Sequence, residues 1–160
     1  GAAGVVLGLL KPDATIDRER TERLIESARP LSVTFHKAFD QSRDPFEALD
    51  TLIEMGVDRV LTSGSRPSAL EGAEILTSLI SRASGRIGVL VGGRLSLQNL
   101  PQVLERTGAR EVHLGSAATR TWTSPMRPSP PDGSETSWNG VDPEAVRRIM
   151  ETVSRCEVNR

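Results

Sequence analysis

The chain has 160 residues, with 20 Lys and Arg against 21 Asp and Glu, and a formal charge of −1. That length suffices for one domain with a buried core, and the even mixture of signs argues against a nucleic-acid or anionic-membrane surface. Aromatics are only 3% with no Tyr, too few for base stacking; no apolar run approaches the ~20 residues of a membrane span; and one cysteine, Cys156, excludes an intramolecular disulfide and fits a reducing, cytoplasmic compartment.

Gly1, Ala2 and Ala3 lack both a starting Met and the charged start of a signal peptide, so the chain reads as beginning in the middle of something. Gly4 to Leu10 is almost continuously apolar, as expected of a strand buried on both faces. Lys11, Pro12 and Asp13 form a loop. Asp17 then caps a helix to about Ala28 with Leu24, Ile25 and Ala28 inward, stopped at Arg29-Pro30.

Ser32 to Asp40 opens the second unit. Val33 and Phe35 alternate with Thr34 and His36, the period of a strand, so the aliphatic side packs on helices and the polar side points the other way. A helix follows, with Asp44 as cap, Pro45 in the first turn and Glu47 at the third position; Phe46, Leu49, Leu52 and Ile53 give the 3.6 period and Gly56 ends it.

The third strand is Arg59 to Ser63, closing on Gly64. A capping box at Ser68 and Glu71 precedes the stripe Leu70, Ala73, Leu76, Leu79, Ile80 and Ala83. The fourth strand, Arg86 to Val91, ends in Gly92-Gly93. Asn99 as cap with Gln102 three residues on leaves Pro101 harmlessly in the first turn, and Gly108 ends that helix. The fifth strand is Glu111 to Gly115, with His113 and Gly115 opposite Val112 and Leu114. A long Pro-rich loop expected to be mobile spans 118–140, flanked by Trp122 and Trp138, and Asp142-Pro143 starts a last helix with Val146, Ile149, Met150 and Val153 inside.

Five strand–helix units in series fit two folds: an open doubly wound sheet, or five consecutive units of a (β/α)8 barrel. The barrel is favoured because Thr34, His36 and His113 share the side opposite the aliphatics, and a barrel interior accommodates such residues. Its functional residues would lie at the carboxyl ends of the strands. His36 and Asp40 are the candidate acid/base pair. Thr34, Ser63, Gly64, Gly92, Gly93, His113 and Ser116 are candidates for a pocket that binds an anion through backbone N–H groups, with Arg94 and Arg120 as helpers. Thr62 would line the same pocket. Ser63 has no base beside it in sequence and no nucleophile elbow, so serine chemistry is not expected.

Several of these stretches resemble one family. Val33 to Asp40 (Val-Thr-Phe-His-Lys-Ala-Phe-Asp), Arg59 to Gly64, Ser68 to Gly72, Gly92-Gly93 and Glu111 to Ala117 are similar to the CutC family, named for copper homeostasis. The resemblance covers nearly the whole chain. It implies a (β/α)8 barrel of which this chain carries strands four to eight, as a single partial-barrel domain over 1–160. Where family members carry Pro-Gly-Gly-Gly, this chain has Val91, Gly92, Gly93 and Arg94.

The resemblance also implies copper as cofactor or partner. Cu(I) favours sulfur ligands, and the chain offers only Cys156 and the scattered Met55, Met126 and Met150, so no metal site is expected in it. Three functions follow as expectations: a cytoplasmic copper-homeostasis protein; an enzyme acting on a small phosphorylated or anionic metabolite with His36 or Asp40 as acid/base; or a fragment that has lost function. Unpaired edges at the first and fifth strands imply a homo-oligomer.

Overall fold

The computed structural model describes residues 1–123 and 137–158. Its centre is a five-stranded parallel sheet: β1 (Gly4–Leu7), β2 (Ser32–Phe35), β3 (Arg59–Thr62), β4 (Gly88–Gly92) and β5 (Glu111–His113), hydrogen-bonded in that order without reversal. Helices α1 (Arg18–Ala28), α2 (Pro45–Glu54), α3 (Ala73–Ala83) and α4 (Leu100–Thr107) connect successive strands, and α5 (Pro143–Val158) closes the described chain. None of the described helices is long and apolar enough to cross a membrane.

Register explains why one side of the sheet is dry. Val5 pairs with Val33, Phe35 with Val60, Val60 with Val89, and Thr62 with Val91, so these residues share a face. Val33, Phe35, Val60, Thr62 and Val91 are completely buried. Val33, Phe35, Val60 and Val91 join Ile25, Leu49, Leu52, Leu76, Leu79, Leu100, Val103 and Ile149 of the helices in one core. A period of two, with β-branched residues on one side, thus yields a sheet whose helices cover a single face. The opposite face carries Val6, Thr34, Leu61, Leu90 and His113, and is more open throughout.

The caps follow side-chain chemistry. Asp17 accepts from the Arg20 N–H at 3.1 Å, and Asp44 from Phe46 and Glu47 at 2.8 and 3.2 Å. Asn99 sits at the cap of α4 but makes no capping bond. Its side chain instead accepts from Ser96 N–H at 2.8 Å and donates to the Arg94 carbonyl at 2.9 Å. The Ser68–Glu71 box forms, with Ser68 Oγ donating to Glu71 at 2.6 Å, but it closes a turn just ahead of α3.

Several expectations change. The first strand stops at Leu7 instead of Leu10, because Leu10 turns back to bridge Ile16, and it is not buried on both faces: Val6 is 67% exposed. Leu24, Val146 and Met150 were assigned inward and are exposed, since Thr21 and Ile25 of α1, and Ala145 and Ile149 of α5, hold the inner positions. β2 ends at Phe35 and the chain passes directly into a 3-10 turn, Lys37–Gln41. The ends of the expected 118–140 loop are strands: β6 (Thr119–Thr123) and β7 (Ser137–Val141) form an antiparallel ribbon in which Trp122 faces Trp138. Thr119, Thr121, Trp122 and Thr123 on one arm and Trp138 and Val141 on the other supply the strand propensity that the prolines between them obscured. The Pro-rich middle of that loop, with Met126, lies outside the described residues.

Candidate functional site

The exits of β2 and β3 meet in a network centred on Asp40. The 3-10 turn after β2 carries the Asp40 carboxylate across to β3, where only 9% of its side chain remains exposed. There it accepts from Thr62 Oγ1 at 2.5 Å, from the Ser63 and Ser65 N–H groups at 3.0 Å each, and from Lys37 Nζ at 2.7 Å. Thr62 Oγ1 in turn accepts from Gly64 N–H at 2.9 Å. Gly64 and Ser65 both adopt left-handed backbone, φ 72° and 54°. The turn they make brings the Ser63 and Ser65 N–H groups onto one carboxylate, a concave nest of backbone donors. Ser63, expected at an anion-binding pocket, here donates to the chain's own Asp40, while the Gly64 N–H is taken by Thr62 Oγ1.

Burial alone would raise the Asp40 carboxyl. The hydrogen bonds from Lys37, Thr62 and the Ser63 and Ser65 amides outweigh it and hold the group below the usual carboxylate range. Asp40 is therefore ionised at neutral pH, with its oxygens already engaged.

Close backbone approach makes this junction possible. A Cβ on Gly72 would lie 1.9 Å from the Ser63 carbonyl oxygen, and one on Gly64 2.6 Å from the Gly72 oxygen. The glycines here thus let two chain segments touch.

Lys37 joins this network to open space. Its Nζ donates to Asp40 and, at 2.6 Å, to Ser63 Oγ, while 45% of its side chain stays exposed. It lines a cavity of about 230 Å³ with Leu61, Gly93, Arg94, His113 and Ser116. Gly93 is at φ 118°, and a Cβ there would meet Ser63 Cβ at 2.7 Å. Of the candidates read from sequence, Gly93, His113 and Ser116 line this cavity, and Ser63 and Asp40 hold its Lys37.

The others sit elsewhere. His36 caps the 3-10 turn, its Nδ1 accepting from Ala38 N–H at 3.1 Å, and its ring lies where a Gly8 Cβ would be, 2.5 Å away. The structure does not join it to Asp40 by any hydrogen bond. Thr34 is half-buried on the open face. Gly92 makes room for Leu61 and His113, which a Cβ would meet at 2.8 and 3.2 Å. Arg120 stacks on Trp122, 3.4 Å from the ring centroid.

Lys37, Gly8 and Gly72 were not singled out from sequence. The one available signal was the spacing of Lys37 and Asp40, three residues apart, which brings their ends together in a tight helical turn.

Among the described residues, no group of three or more His, Cys, Asp or Glu could hold a metal ion. Cys156 is half-buried and packs on the core, as does Met55, while Met150 is exposed.

A parallel sheet wound in one direction, with helices on one face and polar side chains gathered at the strand exits, defines an α/β protein of the barrel-like class. The CutC family model matches residues 1–118, and the chain belongs to the CutC family. It is 48% identical over 120 residues to the copper homeostasis protein cutC homolog of Homo sapiens, covering 75% of this chain and 44% of that protein. It is 49% identical over 127 residues to a family protein CutC of Mesorhizobium japonicum, covering 79% and 48%. The chain thus spans about half the length of these relatives. The crystal structure of a CutC protein from Streptococcus agalactiae superposes with a TM-score of 0.67 at 30% identity, over 70% of this chain and 55% of that one. A native KDPGal structure matches at a TM-score of 0.53 and 16% identity, over 92% and 68%, a likeness of fold alone.

Proposed function

We propose that the chain supplies strands four to eight of a CutC-type (β/α)8 barrel, and that its strand exits recognise a small anionic metabolite. The unreversed strand order and the single helix-covered face support the first part. The Lys37 ammonium carries the second. It has three protons to give; Asp40 and Ser63 take two. The third is available to a ligand in a cavity that also presents Arg94 and His113 and no carboxylate. Asp40, in this reading, holds Lys37 in place.

The family's link to copper then does not run through a metal site in the described residues, whose donor set does not fit Cu(I). Of the acid/base pair considered from sequence, His36 alone keeps a ring nitrogen, Nε2, outside the hydrogen bond that its Nδ1 makes. A single cysteine suits a cytoplasmic setting.

Calorimetric titration of the full chain with inorganic phosphate tests the reading, with Lys37→Met and the charge-preserving Lys37→Arg as comparisons. Saturable binding by the wild type, weakened roughly tenfold or more in Lys37→Met and less in Lys37→Arg, is expected. A Cu(I) titration against a chromophoric chelator should show no competition. Silence with phosphate, sulfate and citrate alike, or stoichiometric withdrawal of Cu(I), would overturn the reading.

A further inference from the structure

Arg94 is the residue of this mouth that local structure accounts for least. Its backbone lies at φ 51°, a left-handed conformation that glycine adopts freely and a long side chain does not. The loop is nonetheless fixed there, since Asn99 donates to the Arg94 carbonyl at 2.9 Å while accepting from Ser96. Arg18, Arg20, Arg23, Arg43, Arg59 and Arg82 each pair with a carboxylate. Among the described residues, Arg94, like Arg66, Arg106 and Arg110, has no such partner, and of these four it is the one that lines the cavity that Lys37 and His113 share.

The charges can be apportioned. Lys37 is neutralised by Asp40 at 2.7 Å. Arg94 is then the cation that sets the sign of the pocket. Its planar fork offers two parallel N–H groups to an oxyanion. Lys37 approaches from the exit of β2, Arg94 from that of β4, and His113 from the end of β5. Donors arriving from three strands suit a group with three terminal oxygens better than a carboxylate, which has two.

We propose that Arg94 is a specificity-determining contact that makes this mouth a site for a phosphoryl group, with Asn99 as its positioning residue. The proposal rests on the anion-binding reading above and names its ligand class.

Isothermal titration of the full chain with inorganic phosphate and, separately, with acetate tests it. The wild type should prefer phosphate. Arg94→Gly should weaken phosphate binding about tenfold or more, the loss of one charge-assisted contact, and weaken acetate binding by a smaller factor, so that the preference for phosphate narrows. Arg94→Lys should fall between, keeping the charge without the fork. Asn99→Ala should lose less than Arg94→Gly and should add no further loss when combined with it. The glycine variant relieves backbone strain, so its folding is not in question. Phosphate binding unchanged in Arg94→Gly but lost in Lys37→Met would refute this inference and leave the anion reading standing. No phosphate binding by the wild type would remove both.

Discussion

Replacing Asp40 by Asn tests the centre of the site with almost no change of shape. The carboxylate accepts from Thr62, the Ser63 and Ser65 amides, and Lys37, at 2.5 to 3.0 Å. An Asn side chain has one acceptor oxygen, and its NH₂ would face donors. Bonds to a charged acceptor contribute about 1.5–3 kcal/mol each, and they are not additive because the donors partly rehydrate. Lys37 is half-exposed and recovers water; the Ser63 amide, in a fully buried residue, does not. Two poorly satisfied donors therefore give a loss of about 2–4 kcal/mol at neutral pH, or roughly 4–15 °C in Tm for a chain of this size. Urea unfolding followed by far-UV circular dichroism measures it. The difference should also depend on pH. The folded carboxyl titrates below its unfolded value of about 3.9. Its contribution is complete above that value and is lost as pH falls through the lower, folded one. Wild type and Asp40→Asn should converge on acidification, most steeply below about pH 4. Equal stability at pH 7, or a gap already closed by pH 5, would show that the nest does not hold its carboxylate as described.

Gly72→Ala sets a Cβ 1.9 Å from the Ser63 oxygen, backbone against backbone, and should cost about 3 kcal/mol or more; a urea midpoint within experimental error of wild type would contradict the crossing. Arg94→Gly should stabilise the ligand-free chain by roughly 0.5–1 kcal/mol, the relief of left-handed strain less the added freedom of the unfolded chain, seen as a small rise in Tm. β1 lies at the edge of the described sheet with Val6 67% exposed, so association through this edge should appear in sedimentation at micromolar concentration and weaken in Val6→Lys; a wild-type monomer at high concentration would rule it out.

Much of the fold was legible because it rests on local rules. Asp17, Asp44 and Gly108 mark helix ends by chemistry that needs no tertiary information. The alternation from Val33 to Phe35 assigns faces correctly because only one face meets helices. The errors fall where a partner decides. Leu24 and Met150 have the hydrophobicity of core residues, yet Ile25 and Ile149 hold the inner positions of those helices. Asn99 is a good cap by type, but its amide is diverted to the loop bearing Arg94. The ribbon was hidden because prolines dominate the composition between its arms. At the site, Asp40 and Ser63 were found as separate candidates. Their contact, across 23 residues, depends on the left-handed turn at Gly64 and Ser65, which no period reveals.

That contact also decides what the serine can do. A lysine ammonium 2.6 Å from a serine hydroxyl invites comparison with Ser–Lys nucleophilic pairs. Here the hydroxyl is spent as structure. Ser63 is fully buried, and its oxygen lies 2.9 Å from Asp40 and 2.6 Å from the Arg66 carbonyl, two acceptors for one proton. Gly93 closes over its Cβ. No substrate atom reaches that oxygen without displacing the chain. Lys37 is likewise held in place by its bonds to Asp40 and to Ser63 Oγ. The arrangement thus suits the proposed recognition of charge better than covalent attack by Ser63. If acylating or phosphonylating probes labelled Ser63 stoichiometrically in the folded chain, both the burial and the division of labour drawn from it would be wrong.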